Sequence, residues 1–470
     1  MDKKAEMRAG LEIHQQLDTG KLFCRCPSIL RQDEPDWIVK RKLHAVAGEF
    51  GDVDIAAKHE VEKGKEFVYQ GYKDTTCLVE FDEQPPLEID KGALKIAVQV
   101  ALLFNCEILQ TTQIMRKTVI DGSNTSGFQR TLLIARDGFL ETSFGRVGIQ
   151  SVCLEEDAAR KIDEDEKSVT FRLDRLGIPL IEIATAPELY YPEQVKEAAL
   201  KLGEILRACK VKRGIGTIRQ DVNISTKNHP RVEIKGFQDP AMMIKTVEME
   251  IERQKKEKKG KTEVRKANED GSTSFLRPMP GAARMYPETD LPLLHITRDF
   301  INDVKKDMPK LKSEMKEELK TRGLSEEMIK LLLDSGMLRE FEALLKVYNN
   351  PNFVAKLLLV LPKEIASHEK VKEEIFSIDV IESVLSAIAG KKISEGDSKH
   401  VLEKIAKGKS VEEALKVEKA EISDIEGEIA KIVKEKPGLN ANAYMGLVMA
   451  KFKGKVDGQT VMAIINKLIK

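Results

Sequence analysis

Apolar and polar positions alternate near the start of the chain. In "GLEIHQQL" (residues 10–17), Leu11, Ile13 and Leu17 are apolar, while Glu12, His14 and Gln16 are polar. A period of two predicts a strand, with Glu12 and His14 side by side on its polar face. The format recurs in "EFVYQGY", "SVCLEED", "SVTFRLDR", "LIEIAT", "QDVNIST" and "RVEIKG". Helical spacing appears between these runs. Residues 90–105 have Asp90 as a candidate N-cap. Residues 192–206 open on Pro192 and place Val195, Ala198, Leu202 and Ile205 on one stripe. Residues 241–254 follow the same rule.

From about residue 298 the period changes. Glycine and proline thin out, and Lys/Glu-rich amphipathic helices are expected over 298–320, 325–348, 352–360 and 364–388. Ser325, followed by Glu326 and Glu327, has the form of a helix start. Shorter helices follow after about residue 398. The expected class is α+β: an N-terminal mixed or antiparallel sheet domain over 1–297, an all-helical domain over 298–397 and a small helical tail over 398–470. Within the first domain, "RQKKEKKGKTEVRKANEDGS" (253–272) reads as a charged linker.

Charge changes this picture little. Lys+Arg and Asp+Glu both number 77, so the chain as a whole is no polyelectrolyte binder, and any nucleic-acid contact must be local. Aromatics make up 5% with one tryptophan, Trp37, which argues against recognition by stacking on unpaired bases. The locally basic piece is 436–470, with Lys451, Lys453 and Lys455 around Gly454. No apolar stretch follows the lysines of "MDKKAEMRAG", and no apolar run is long enough for a bilayer. A cytoplasmic protein is expected, with its six cysteines reduced. Cys24 and Cys26 form the one close pair. Half a zinc site and two ordinary thiols are both open readings, with Cys77 the plausible third ligand and no clear fourth.

The polar faces of the strands carry the candidate chemistry. Glu182 sits between Ile181 and Ile183; Asp221 alternates with Val222; Glu233 and Lys235 alternate with Val232 and Ile234; Glu155, Glu156 and Asp157 close another strand. Any antiparallel sheet with one wet face alternates in this way. Adjacent carboxylates repel, however, and several of them with a histidine on one sheet require a cation. Oxygen ligands of this kind suit Mg²⁺ beside a nucleotide's phosphates. No P-loop or kinase signature is present, so phosphates would be held by metal, by Lys or Arg, and by Gly-rich turns such as "RGIGTIRQD" (213–221). Two further loops stand out: 115–131, with Arg116, Lys117 and Arg130, and the proline-rich 276–292, with Arg277, Arg284, Tyr286, Glu288 and Asp290.

"GLEIHQQLDTGKLFCRCPS", "LEEDAAR", "DRLGIPLIEIATAPE", "QDVNIS", "RVEIKG" and "RPMPGAARMYPETDLP" occur in this order. The chain thereby resembles the B/E family of tRNA-dependent amidotransferase subunits. "TVIDGSNTSGFQRT" and the "PGAARMYPETD" loop are closer to the archaeal branch, the E-type subunits of glutamyl-tRNA(Gln) amidotransferase. The resemblance implies a cradle-like catalytic domain and a tRNA-binding tail. It implies that ATP activates the γ-carboxylate of glutamate on mischarged tRNA(Gln). Ammonia from a glutaminase/asparaginase-like partner, the D-type subunit, would then give Gln-tRNA(Gln). By matching motif, Glu12, His14, Glu156 and Glu182 would hold Mg²⁺, and Asp221 and Glu233 would extend that face. Lys235, Arg116, Lys117 and Arg284 would contact phosphate or acyl phosphate. Lys451, Lys453 and Lys455 would touch the tRNA. The archaeal branch carries an aspartyl-tRNA-synthetase-like insertion domain before the proline-rich loop, and only the charged segment stands there in this chain. Two alternatives remain open: a B-type subunit paired with an amidase-type glutaminase, and a tRNA-binding scaffold without catalysis.

Overall fold

The computed structural model describes residues 7–42, 64–119, 121–237, 240–257, 259–279, 285–416, 422–451 and 458–469. The chain divides into two compact units, residues 1–311 and 312–470.

An eleven-stranded sheet organises the first unit. In chain order its strands are β1 (Met7–Gln16), β2 (Glu107–Ile108), β3 (Met115–Thr118), β4 (Phe128–Thr142), β5 (Gly145–Glu156), β6 (Pro179–Thr185), β7 (Ile218–Thr226), β8 (His229–Phe237), β9 (Glu263–Ala267), β10 (Thr273–Pro278) and β11 (Met285–Pro287). The spatial order is β10-β9-β8-β7-β1-β6-β5-β4-β3-β11, with β2 paired to β4. Among the described pairings of this sheet, only β8–β9 is parallel. The first strand of the sequence thus becomes an inner strand, flanked antiparallel by β6 and β7.

Period-two alternation decides what each face becomes. Leu11, Ile13, Ile181, Ile183, Val222 and Ile224 are buried on one face. Three helices cover it: α1 (Lys91–Leu103), α2 (Pro192–Ala208) and α3 (Pro240–Lys256). Asp90 caps α1 by accepting from the Ala93 backbone N–H at 2.7 Å, and Pro192 opens α2. The opposite face, bearing Glu12 and His14, is left for chemistry. A four-stranded sheet (Trp37–Arg41, Glu66–Gly71, Ser168–Arg172 and Arg160–Glu164, in spatial order) has its own core around Tyr69, Phe81 and Phe171.

Residues 253–272 differ from the expected linker. They include the last turn of α3 and all of β9, which pairs with β8 and β10. In β9 only Val264 is buried, so the segment has almost no apolar alternation to read. Helix Arg298–Lys306 belongs to the first unit, where the sequence reading grouped it with the helices that follow. Its Val304 joins the sheet's core.

The second unit is helical. Its main core gathers Leu332, Phe341, Leu357 and Val384, and a second cluster gathers Ile429, Tyr444, Val448 and Ile464. The expected long helices are each broken. The pieces Glu326–Ser335 and Leu338–Val347 are separated at Gly336, whose φ of 74° ends the first. Ser325 caps the first piece as its sequence suggests, and Ser377 caps Ile378–Ala389. Among the described residues, no helix is long and apolar enough to cross a membrane.

Candidate functional site

A cleft of about 1210 Å³ opens over the polar face of the sheet. The register explains what converges there. Across β7, β1 and β6, Asp221 stands beside Glu12 and Ala184, and Arg219 beside His14 and Glu182. Laterally paired residues share a face, so the central strands deliver three carboxylates and an imidazole to one place. His14 Nε2 lies 3.1 Å from Glu182 Oε2 and 3.6 Å from Glu12 Oε1. Two overlapping ligand sets result, Glu12–His14–Asp221 and His14–Glu155–Glu182, each with ligand atoms within 4.8 Å of one another.

Two lysines neutralise part of this charge. Lys117 Nζ from β3 lies 2.9 Å from Glu155 and 3.4 Å from Glu182. Lys235 Nζ lies 2.6 Å from Asp221 and 2.5 Å from Glu233. Burial and then the neighbouring Glu182 push the Glu12 carboxyl up from its ordinary value. Burial opposes charging of His14, but the hydrogen bond and charge of Glu182 win, so its pKa rises. Lys235 likewise rises against its burial, because Asp221, Glu233 and Glu12 face it. Glu182 is held low, with His14 and Lys117 outweighing desolvation.

Of the residues singled out in the sequence, Glu12, His14, Glu182, Asp221, Glu233, Lys117 and Lys235 line the cleft. Glu156 does not. It points through the sheet, where Arg130 donates to its carboxylate from the backbone N–H at 3.2 Å and from the guanidinium at 3.4 Å. Burial pushes its pKa up. Its neighbour Glu155 occupies the cleft instead, also accepting from Gln129 Nε2 at 3.1 Å. A signal for this exists in the sequence: Glu156 shares its parity with buried Val152 and Leu154, and Glu155 with Cys153. Arg116 is also on the far face. It pairs with Glu288 at 2.5 Å and lies 4.5 Å over the Phe128 ring. Arg284, Lys453 and Lys455 lie outside the described residues; Lys451 ends the helix Ala441–Lys451.

The Gly-rich turn at 213–217 forms part of the cleft rim. Gly214 and Gly216 have φ of 116° and 82°, and between them Ile215 is 99% exposed. Asp157 and Arg219, absent from the expected set, also line the cleft, joined by a 3.0 Å bond from Nη2 to Oδ1.

A second donor set lies apart from the cleft's acidic face. Cys24, Cys26, Cys77 and Glu80 bring one ligand atom each within 4.8 Å of one another. The Cys24 thiol donates to Glu80 Oε1 at 2.9 Å, and Lys21 Nζ lies 3.0 Å from the same oxygen. Hydrogen bonds from Cys24 and Cys26 hold the Cys77 thiol well below the usual range, while Cys26 is pushed up to about 12 as its bond to Cys24 is outweighed by Cys77 and burial. The third sulfur is the expected one; the carboxylate of Glu80 is the candidate fourth ligand that spacing alone did not offer.

The model of the GatB/GatE catalytic domain matches residues 7–302. The chain is similar to the E subunit of glutamyl-tRNA(Gln) amidotransferase from Methanocaldococcus jannaschii, at 37% identity over 100% of this chain and 99% of the relative. It is similar to the proteins of the same name from Archaeoglobus fulgidus (34%; 100% and 98%) and Pyrobaculum arsenaticum (35%; 98% and 98%). The first alignment runs over 627 positions against the 470 residues here, so that relative carries residues this chain lacks. With the catalytic-domain match covering the whole cleft, the chain belongs to the GatB/GatE family.

Proposed function

We propose that this chain is the activating subunit of a glutamyl-tRNA(Gln) amidotransferase, working in the cytoplasm. The observation that carries the reading is the convergence of Glu12, His14, Glu155, Glu182 and Asp221 in one cleft, with Lys117 and Lys235 beside them. A carboxylate is a poor acyl donor to ammonia, and an acyl phosphate is a good one. In this reading the γ-carboxylate of glutamate on tRNA(Gln) is phosphorylated at the expense of ATP, and ammonia then displaces the phosphate.

The donor set fits a hard divalent cation. Carboxylate oxygens dominate, one imidazole joins them, and the groups sit in a wide cleft that leaves room for water and phosphate. Glu12, His14 and Asp221 would hold one Mg²⁺, with Glu155 and Glu182 completing a second position; Glu233 supports the first through Lys235. When bound, such ions neutralise a transferring phosphoryl group and orient its attack. Lys117 and Lys235 put ammonium groups where phosphate oxygens would arrive. Glu182 holds the His14 ring in a fixed orientation.

Ammonia would come from a partner; among the described residues, no cysteine or serine sits in a recognisable glutaminase setting. The relatives' name is that of one subunit among several, and a glutaminase/asparaginase-like D-type subunit fits the missing role. The tail lysines 451, 453 and 455 would add local charge for the tRNA backbone. We place the residues that the relatives have in excess between α3 and the proline-rich loop, which leaves β1, β5, β6 and β7 complete. Cys24, Cys26, Cys77 and Glu80 would hold a structural zinc beside the cradle.

The test is ADP formation by the purified chain with ATP and Mg²⁺. ADP should appear with Glu-tRNA(Gln) and not with uncharged tRNA(Gln). ADP at equal rates with both, or with neither, would contradict the reading.

A further inference from the structure

Arg219 is a cation of the cleft that the acidic cluster leaves open. Lys117 and Lys235 are each bound by two carboxylates. Arg219 has one partner, Asp157 Oδ1 at 3.0 Å from its Nη2. Its other guanidinium nitrogens make no hydrogen bond among the described residues, and its side chain is 49% exposed within the cleft.

The anchor is built, because Asp157 is only 2% exposed. It accepts from Gln16 Nε2 at 2.6 Å and from the Ala158 backbone N–H at 2.9 Å. Arg175 approaches it at 3.8 Å but directs its own bonds to the Ala158 and Ala159 carbonyls. Topology then places the guanidinium. Arg219 starts on β7, and Asp157 follows β5; in the sheet these lie on opposite sides of β1. A 3.0 Å bond between them carries the guanidinium over β1, on the side of Gln16 and His14. One edge of the planar fork is fixed by a buried carboxylate, and the other faces the cleft next to the proposed metal position.

We propose that Arg219 binds the glutamyl carboxylate that becomes activated. The proposal rests on the functional reading above and deepens it. A guanidinium presents parallel N–H donors that match the two oxygens of a carboxylate or of a phosphate; with Lys117 and Lys235 already assigned to the phosphate, Arg219 is left for the carboxylate. Held this way, one carboxylate oxygen attacks the γ-phosphorus of ATP, the bond from that phosphorus to the bridging oxygen breaks, and ADP leaves. The nitrogen of ammonia then bonds to the acyl carbon, the C–O bond to phosphate breaks, and one ammonia proton leaves with the phosphate. Arg219 stays on the carbonyl oxygen through both steps. Asp157 is a positioning residue, since it acts only through Arg219.

The test uses the full chain with Glu-tRNA(Gln), ATP, Mg²⁺ and ammonium chloride, comparing wild type with Arg219→Met and Arg219→Lys. Arg219→Met should lower kcat/KM for Glu-tRNA by about 100-fold, as expected for losing a charge-assisted bidentate contact. Arg219→Lys should restore only part of that. ATP affinity should stay within about twofold, and wild type should bind Glu-tRNA more tightly than uncharged tRNA while Arg219→Met binds both alike. Circular dichroism on each variant checks the fold, and Arg219→Lys keeps the test valid if the methionine variant misfolds. Unchanged kcat/KM in an active background would overturn the role of Arg219 alone. An equal loss of ATP affinity would overturn it too, by assigning the residue to the nucleotide's phosphate. A wild-type chain forming no Gln-tRNA would overturn the functional reading and this role with it.

Discussion

His14 and Glu182 face each other across the β1–β6 ladder, with Nε2 3.1 Å from Oε2, and the same nitrogen lies 3.6 Å from Glu12. The imidazole thus hydrogen-bonds one carboxylate and has a second within ion-pair distance on the same face. These residues would hold a divalent cation, which would bind the folded chain and not the unfolded one. Mn²⁺ or Mg²⁺ should raise the melting temperature, corresponding to about 2.7 kcal/mol at a concentration one hundred times the Kd. Glu12→Ala and Glu182→Gln should each reduce the shift. Scanning calorimetry with and without the ion reads it, and an ion-independent melting temperature in the wild type would count against the site.

Glu155 and Glu156 are adjacent and point to opposite faces, so substituting them should have different consequences. Glu155→Gln should weaken the cation-dependent shift and leave ion-free stability nearly unchanged. Glu156→Gln should leave the shift in place but cost about 1–3 kcal/mol, because the buried Arg130 guanidinium loses one of its two carboxylates. Urea denaturation with and without Mn²⁺ separates the two effects. Equal behaviour of both variants would contradict the assignment of faces.

That pair also shows how legible the site was. Wherever a carboxylate stood between two β-branched residues, as Glu182 and Glu233 do, alternation placed it on the right face. At "CLEED" three acids follow one another, and only counting parity from Val152 and Leu154 settles which one enters the cleft. Arg116 and Lys117 posed the same problem on a strand of four half-buried residues, where neither face announces itself. Strand β9 escaped because its charge density hid the single buried Val264. Arg219 shares the parity of Asp221, so alternation puts it on the polar face, but its contact with Asp157 across β1 comes only from the sheet order. The helices of the second unit were visible in period, but their breaks lay in single residues such as Gly336.

Acid should act through Glu250. Its carboxylate accepts from Arg253 at 2.7 Å, Gln254 at 2.9 Å and Thr273 at 2.7 Å, tying α3 to β10. Burial raises its pKa, but these bonds outweigh it and hold the group below its ordinary 4.5. A depressed carboxyl stabilises the fold fully above the unfolded value and loses that stabilisation as pH falls through the folded one. Glu250→Gln should therefore be less stable than wild type at pH 7, by about 1–3 kcal/mol. The gap should close as pH drops below 4.5. A gap that stays constant through acid would show that the charge plays no part.

Zinc should bind the cysteine set with release of protons. Their mutual hydrogen bonds push the Cys24 and Cys26 thiols up from the ordinary value and the Cys77 thiol down. Loading at pH 7 should release about two protons per ion, because thiolates are the ligands. Calorimetry in two buffers of different ionisation enthalpy measures this. Cys77→Ser should abolish stoichiometric retention of zinc after gel filtration.

The most direct test of the central claim is product formation from free ammonium. The purified chain is mixed with Glu-tRNA(Gln), ATP, Mg²⁺ and ammonium chloride, and Gln-tRNA is followed against a Glu12→Ala control. The account predicts Gln-tRNA with the wild type and none with the variant. Activity that survives Glu12→Ala would contradict it, as would a wild-type chain that binds Glu-tRNA but leaves its glutamate unchanged even with a glutaminase-type partner present.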